Sequence, residues 1–152
     1  MPVADLLRAH NIAREIFYRR KAKFGSILNR VRLDLEVVEA VTTFWGGDRV
    51  GIRISPVTPH IGGISDSDPQ PLFNLLVEEF NRFGLLYLHM IEGETRGACD
   101  YQEFDFMALR KRFNGRYMVN NGYTKELALH ALENDRADLL RASVHFQSRS
   151  GQ

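Results

Sequence analysis

Within Asp48 to Pro56, reading DRVGIRISP, the charged Arg53 interrupts a run that otherwise behaves as a buried strand. Val50, Ile52 and Ile54 share one parity and Gly51, Arg53 and Ser55 the other, because side chains alternate across a strand. On an antiparallel strand with one wet face, Arg53 would simply be solvated. In a barrel of parallel strands the aliphatic parity packs on outer helices and Arg53 faces the axis. It then sits near the strand's carboxyl end, where such barrels bind ligands. A guanidinium buried there needs an acceptor, since an isolated buried charge is very unfavourable. Arg53 is therefore a candidate binding residue.

The other chemistry-bearing side chains are scattered. His10, His60, His130 and His145 show no metal-ligand spacing with one another or with Cys99, so no metal site is expected. Asp66 and Asp68 read as loop and helix-cap residues rather than a calcium site. Nothing local suggests that Cys99 is an activated thiol. Neither a G-x-G-x-x-G fingerprint nor a P-loop is present.

The elements that must position Arg53 follow from the rest of the chain. Its 152 residues fit one domain with a reasonable core. A formal charge of +1 gives no reason to expect nucleic acid or an anionic membrane as the main partner. One cysteine excludes an intramolecular disulfide framework and suits a reducing, cytoplasmic compartment. No apolar run is long enough to span a bilayer. Residues 1–24 are locally basic, with Arg8, Arg14, Arg19, Arg20, Lys21 and Lys23 against Asp5 and Glu15. Leu6, Ala9, Ala13 and Ile16 share one helical face there, so a surface helix is expected rather than a targeting peptide.

From residue 25 onward helix and strand alternate. Ser26 caps a helix whose apolar positions Val31, Leu35, Val38 and Val41 recur at helical spacing, ending at Trp45, Gly46 and Gly47. The Arg53 strand follows, then a polar loop from Thr58 to Gln70. Leu72, Leu75, Leu76, Phe80 and Phe83 mark an amphipathic helix stopped by Gly84. Leu85 to Met90 is an unalternating apolar run, as in a strand covered on both faces. A loop from Glu92 to Asp100 leads to a helix around Phe104 to Phe113. Arg116 to Val119 forms a short strand, and Asn120, Asn121 and Gly122 turn the chain. Thr124 caps a helix with Leu127, Ala128, Ala131 and Leu132 on one face, and Ala137 to Leu140 begins a last strand. Repeated strand–helix units imply a parallel sheet with right-handed crossovers, and function on the face carrying the longer, strand-following loops.

Five blocks, in order, resemble the Old Yellow Enzyme flavoproteins, especially the bacterial alkene and N-ethylmaleimide reductases. They are GSILNRVRLDLEVVEAV (Gly25 to Val41), DRVGIRISPVTP (Asp48 to Pro59), ISDSDPQPLF (Ile64 to Phe73), YLHMIEG (Tyr87 to Gly93) and VNNGYTKELA (Val119 to Ala128). The resemblance implies an α/β fold: the C-terminal half of a (β/α)8 TIM barrel over residues 25–140, with parallel strands five to eight and FMN at their carboxyl ends. It gives Arg53 the pyrimidine side of the isoalloxazine, where a fixed guanidinium would favour hydride acceptance. It makes Asn120, Asn121 and Gly122 the phosphate loop. Backbone N–H groups there can converge on an anion, and the helix that follows adds a favourable dipole. His89 falls in the family's Tyr-Leu-His segment and is expected to be hydrogen-bonded rather than a base.

Departures from the family pattern are equally plain. Its substrate-orienting His/Asn or His/His pair and its proton-donating tyrosine have no counterpart in residues 1–24, so no catalytic residue is assigned. The Gly-Arg pair expected after strand eight is replaced, since Leu140 is followed by Arg141, Ala142 and Ser143. Residues Ala142 to Gln152, ASVHFQSRSGQ, can be written in codons whose next reading frame gives HPFISNPDLV, similar to the family's continuation. A frameshifted or disordered tail over residues 141–152 is the expectation. A half barrel leaves sheet edges and inner faces without partners, so homo-oligomerisation or association with a missing half is expected.

Three readings follow. One is an FMN-dependent ene-reductase taking hydride from NADPH or NADH to an electron-poor alkene, truncated and inactive alone. Another is a non-catalytic fragment or oligomerising interaction module without a working flavin site. The third is a different phosphate-binding barrel. The sequence leaves catalysis by this chain open.

Overall fold

Ser26 starts the first helix, α1 (Ile27–Trp45), by accepting a hydrogen bond from the Asn29 backbone N–H at 3.3 Å. The computed structural model describes residues 26–57, 66, 68–93 and 104–141. Val31 and Val38 bury the inner stripe of α1, and Leu35 packs partly against the same core. Val41, expected on that stripe, is exposed. Gly46 ends the helix with φ 84°, a left-handed value that glycine adopts without a Cβ clash.

The chain then turns through a 3-10 segment (Gly47–Arg49) into β1 (Gly51–Ile54). Gly47 keys this corner into the next unit. Its carbonyl accepts from the Leu86 N–H at 3.0 Å, and a Cβ there would sit 1.9 Å from the Phe83 carbonyl oxygen. Only a glycine lets the two backbones approach so closely.

Three further strand–helix steps complete the order: α2 (Pro69–Phe80), β2 (Tyr87–Ile91), α3 (Phe106–Arg112), β3 (Arg116–Asn120), α4 (Lys125–Glu133) and β4 (Leu139–Arg141). Proline in the first turn of α2 needs no backbone donor there. Gly84, at φ 58°, lets the chain leave the short turn Asn81–Phe83. Asp105 caps α3 through the Ala108 N–H, and Thr124 caps α4 through the Leu127 N–H. Asp68 precedes α2 as the cap reading requires, but its side chain does not cap the helix. Its carboxylate lies 3.9 Å from Arg30, which also pairs with Asp66.

The four strands form one parallel sheet in chain order, β1-β2-β3-β4. Ile52, Leu88 and Tyr117 stand in one row across the sheet, and Ile54, Met90 and Val119 in the next. Leu88, Met90, Tyr117 and Val119 are fully buried against Leu76, Val77, Phe80 and Leu109. Each such side chain contributes about 1.5–3 kcal/mol by leaving water. This helix-side layer is the core.

The opposite face of the sheet is open. Arg53 is exposed there rather than buried, because no described element covers it. Leu127 and Leu132 on α4 are likewise exposed, at 46% and 44%; Ala131 is the buried residue of that helix. The helix expected in residues 1–24 and the tail after residue 141 lie outside the described residues, as do His10, His60, Cys99 and His145.

Candidate functional site

Register decides which side chains share the open face. Arg53 pairs with His89, His89 with Met118, and Met118 with Leu139. One step further along, Ile91 pairs with Asn120 and Asn120 with Arg141. Side-chain alternation therefore sets Gly51 and Arg53, Tyr87, His89 and Ile91, Arg116, Met118 and Asn120, and Leu139 and Arg141 on one face. Gly51 is small for a reason: a Cβ there would lie 2.3 Å from the Tyr87 ring.

Among the described strand positions of this face there is no carboxylate, and no described residue forms a hydrogen bond or ion pair with the Arg53 guanidinium. The described strands thus give this face cationic charge. Arg53 and the turn at residues 120–122 belong to strands two apart, about 10 Å by the usual strand spacing. They do not meet; they stand at two ends of a strip wide enough for an extended ligand.

His89 lies between them, only 7% exposed. Its Nε2 is 3.1 Å from Asn120 Oδ1. Burial pulls the imidazole pKa down, the Asn120 bond pushes it up, and the charges of Arg53 and Arg141 pull it down further. The net shift is downward, so the ring is neutral at pH 7 and Nε2–H donates to Asn120. The hydrogen bond is the one expected of His89 from the sequence.

Asn120, expected in a turn, is the last residue of β3. The turn proper is Asn121 and Gly122, both left-handed at φ 97° and 66°. Glu92 holds it from behind. The Glu92 N–H donates to the Asn120 carbonyl at 3.2 Å, its carbonyl accepts from Asn121 Nδ2 at 2.6 Å, and its carboxylate accepts from the Tyr123 hydroxyl.

Two residues here escaped the sequence reading. Glu92 was read as loop, although an acid directly after a buried strand signals a satisfied carboxylate. Arg141 counted only as a break in the family pattern, whereas the register brings it beside Asn120. No cluster of three His, Cys, Asp or Glu side chains able to hold a metal occurs among the described residues.

Comparison with known proteins fits this geometry. The family model described as NADH:flavin oxidoreductase / NADH oxidase matches residues 18–146. The chain is 37% identical over 121 residues to 12-oxophytodienoate reductase 2 of Arabidopsis thaliana, covering 76% of this chain and 31% of that protein. It is 37% identical over 131 residues to 12-oxophytodienoate reductase 7 of Oryza sativa subsp. japonica, covering 76% and 33%. Among solved structures, the old yellow enzyme from Trypanosoma cruzi superposes with a TM-score of 0.69 at 28% identity, over 76% of this chain and 30% of that one. A morphinone reductase variant in complex with tetrahydroNAD gives 0.67 at 36% identity, over 77% and 31%. The chain thus spans about a third of the length of the curated relatives it matches.

Proposed function

Because the chain belongs to the NADH:flavin oxidoreductase / NADH oxidase family, we propose that its open sheet face is half of an FMN site of the Old Yellow Enzyme type. One observation carries this reading: Arg53 and Arg141 share a face on which the described strands place no carboxylate. Such a face fits a ligand that is anionic at one end and gains negative charge at the other. FMN, when bound, accepts a hydride from NADPH or NADH and passes it to an electron-poor alkene.

This chain's own residues have definite tasks. Arg53 supplies positive charge to the pyrimidine end, where charge grows on reduction. Backbone N–H groups of Asn121 and Gly122, with the start of α4, hold the phosphate. Asn120, fixed by the neutral His89, sets the width of the strip between them. Arg141 adds a second guanidinium at the phosphate end. Among the described residues no substrate-orienting pair and no proton donor is assigned.

The reading includes association with a second copy or a complementary barrel half. Leu127, Leu129, Leu132 and Leu139 are exposed apolar side chains near the last strand, at 37–49%, and β1 and β4 are edge strands of the described sheet. The same surface supports the second reading, an oligomerising module that binds no flavin. The single cysteine supports a cytoplasmic setting, and no helix among the described residues is long and apolar enough to cross a membrane.

Potentiometry separates the two readings. With FMN bound, Arg53→Ala lowers the flavin's reduction potential. An unchanged potential removes Arg53 from its role, and a protein that takes up no FMN leaves the oligomerising module.

A further inference from the structure

Glu92 is a buried acid that the flavin reading leaves without a task. It is 4% exposed and directly follows β2. Its even position turns it away from Arg53 and His89 toward the helix side, where its charge acts on the Tyr117 phenol. Burial pushes its carboxyl group up, while the Tyr123 hydroxyl and the charge of Arg136 hold it back.

Three hydrogen bonds join residue 92 to one short segment, two through its main chain and one through its carboxylate. They reach the Asn120 carbonyl at 3.2 Å, the Asn121 side-chain amide at 2.6 Å and the Tyr123 hydroxyl. Between these anchors the backbone is left-handed at Asn121 and Gly122. A left-handed asparagine costs about 1 kcal/mol, so this turn does not hold its shape through local preference alone.

We propose that Glu92 is the positioning residue of the turn 120–123, bracing it from behind so that its N–H groups are fixed for a phosphate before one arrives. Its side chain touches no ligand; it acts through the Tyr123 hydroxyl, beside the main-chain bonds to Asn120 and Asn121. The inference rests on the flavin reading for the identity of the anion, but the brace itself does not. Preorganised donors bind more tightly because less ordering is left to do at binding.

The test uses the full chain and its variants Glu92→Ala, Glu92→Gln and Tyr123→Phe. Amide hydrogen exchange at Asn121, Gly122 and Tyr123 reports the brace without any ligand. The ratio of FMN to riboflavin affinity reports its use, since the two flavins differ only in the phosphate. Glu92→Ala and Tyr123→Phe speed exchange in the turn and reduce that ratio by about tenfold, with riboflavin affinity unchanged. Glu92→Gln, which still accepts from Tyr123, keeps most of the ratio. Exchange and ratio both unchanged in Glu92→Ala overturn the proposal. If that variant does not fold, the same result in Tyr123→Phe overturns it. Wild-type protein that binds FMN no better than riboflavin, while exchange still responds to Glu92→Ala, defeats the flavin reading of the turn and leaves the brace standing.

Discussion

His89 Nε2 lies 3.1 Å from Asn120 Oδ1, tying the middle of the second strand to the end of the third across the open sheet face. The two residues are 31 positions apart in the chain, so only the parallel register makes them neighbours. This contact stands between Arg53 and Arg141, and it keeps a neutral imidazole in a cationic setting. Two properties of the open face follow from it, and each can be measured.

Acid should weaken this protein through His89. Its folded-state pKa lies below the ordinary value of 6.5, so the unfolded chain takes up the proton more readily. Stability is therefore full above about pH 7 and falls as pH drops through the ordinary histidine range. His89→Gln removes that slope while leaving an amide to reach Asn120. Urea unfolding between about pH 5 and pH 8 checks it. The wild type loses stability toward acid and the variant loses less; parallel profiles would count against a neutral His89.

The position of Arg53 can be read from the same ring. Its guanidinium is one of the charges holding the His89 pKa down. Arg53→Ala should move the imidazole titration toward higher pH, followed by NMR of the ring protons. A titration that does not move would mean that Arg53 does not share the face with His89.

Gly47 should tolerate no side chain. A Cβ would lie 1.9 Å from the Phe83 carbonyl oxygen and 2.8 Å from that of Gly84, and both are backbone atoms that cannot swing aside. Gly47→Ala should cost about 3 kcal/mol, seen as a lower urea midpoint with an unchanged slope. A midpoint within error of wild type would disprove the close approach of these two corners.

Tyr117 offers the opposite case. It is fully buried, and its hydroxyl has no hydrogen-bond partner among the described residues. Desolvation of an unpaired hydroxyl costs about 1–3 kcal/mol. Tyr117→Phe should thus raise stability by about 1 kcal/mol. A clear loss of stability would show that the hydroxyl is satisfied in solution.

The parts of this fold that were readable in the sequence are those set by one-dimensional periods. Ile52 and Ile54 alternate with Arg53 because one strand face meets helices, and Leu72, Leu76 and Phe80 recur because one helix face meets the sheet. What depends on register was not readable. Asn120 sits in an Asn-Asn-Gly run and reads as a turn, yet pairing with Ile91 and Arg141 keeps it in the strand. Glu92 and Arg141 become site residues only when four separate segments are laid side by side. Exposure at Arg53 was misjudged for one reason. Alternation and helical period assign a face, but they do not say whether another element covers it.

Binding of FMN to the purified chain tests the central claim most directly. Titration with FMN, followed by flavin fluorescence, should show a saturable complex that releases its flavin on denaturation. Replacing both Arg53 and Arg141 by alanine should weaken it at least about tenfold, the loss expected for charge-assisted contacts. A colourless protein that leaves added FMN free, or an affinity indifferent to both arginines, would contradict a flavin site on the open face of this sheet.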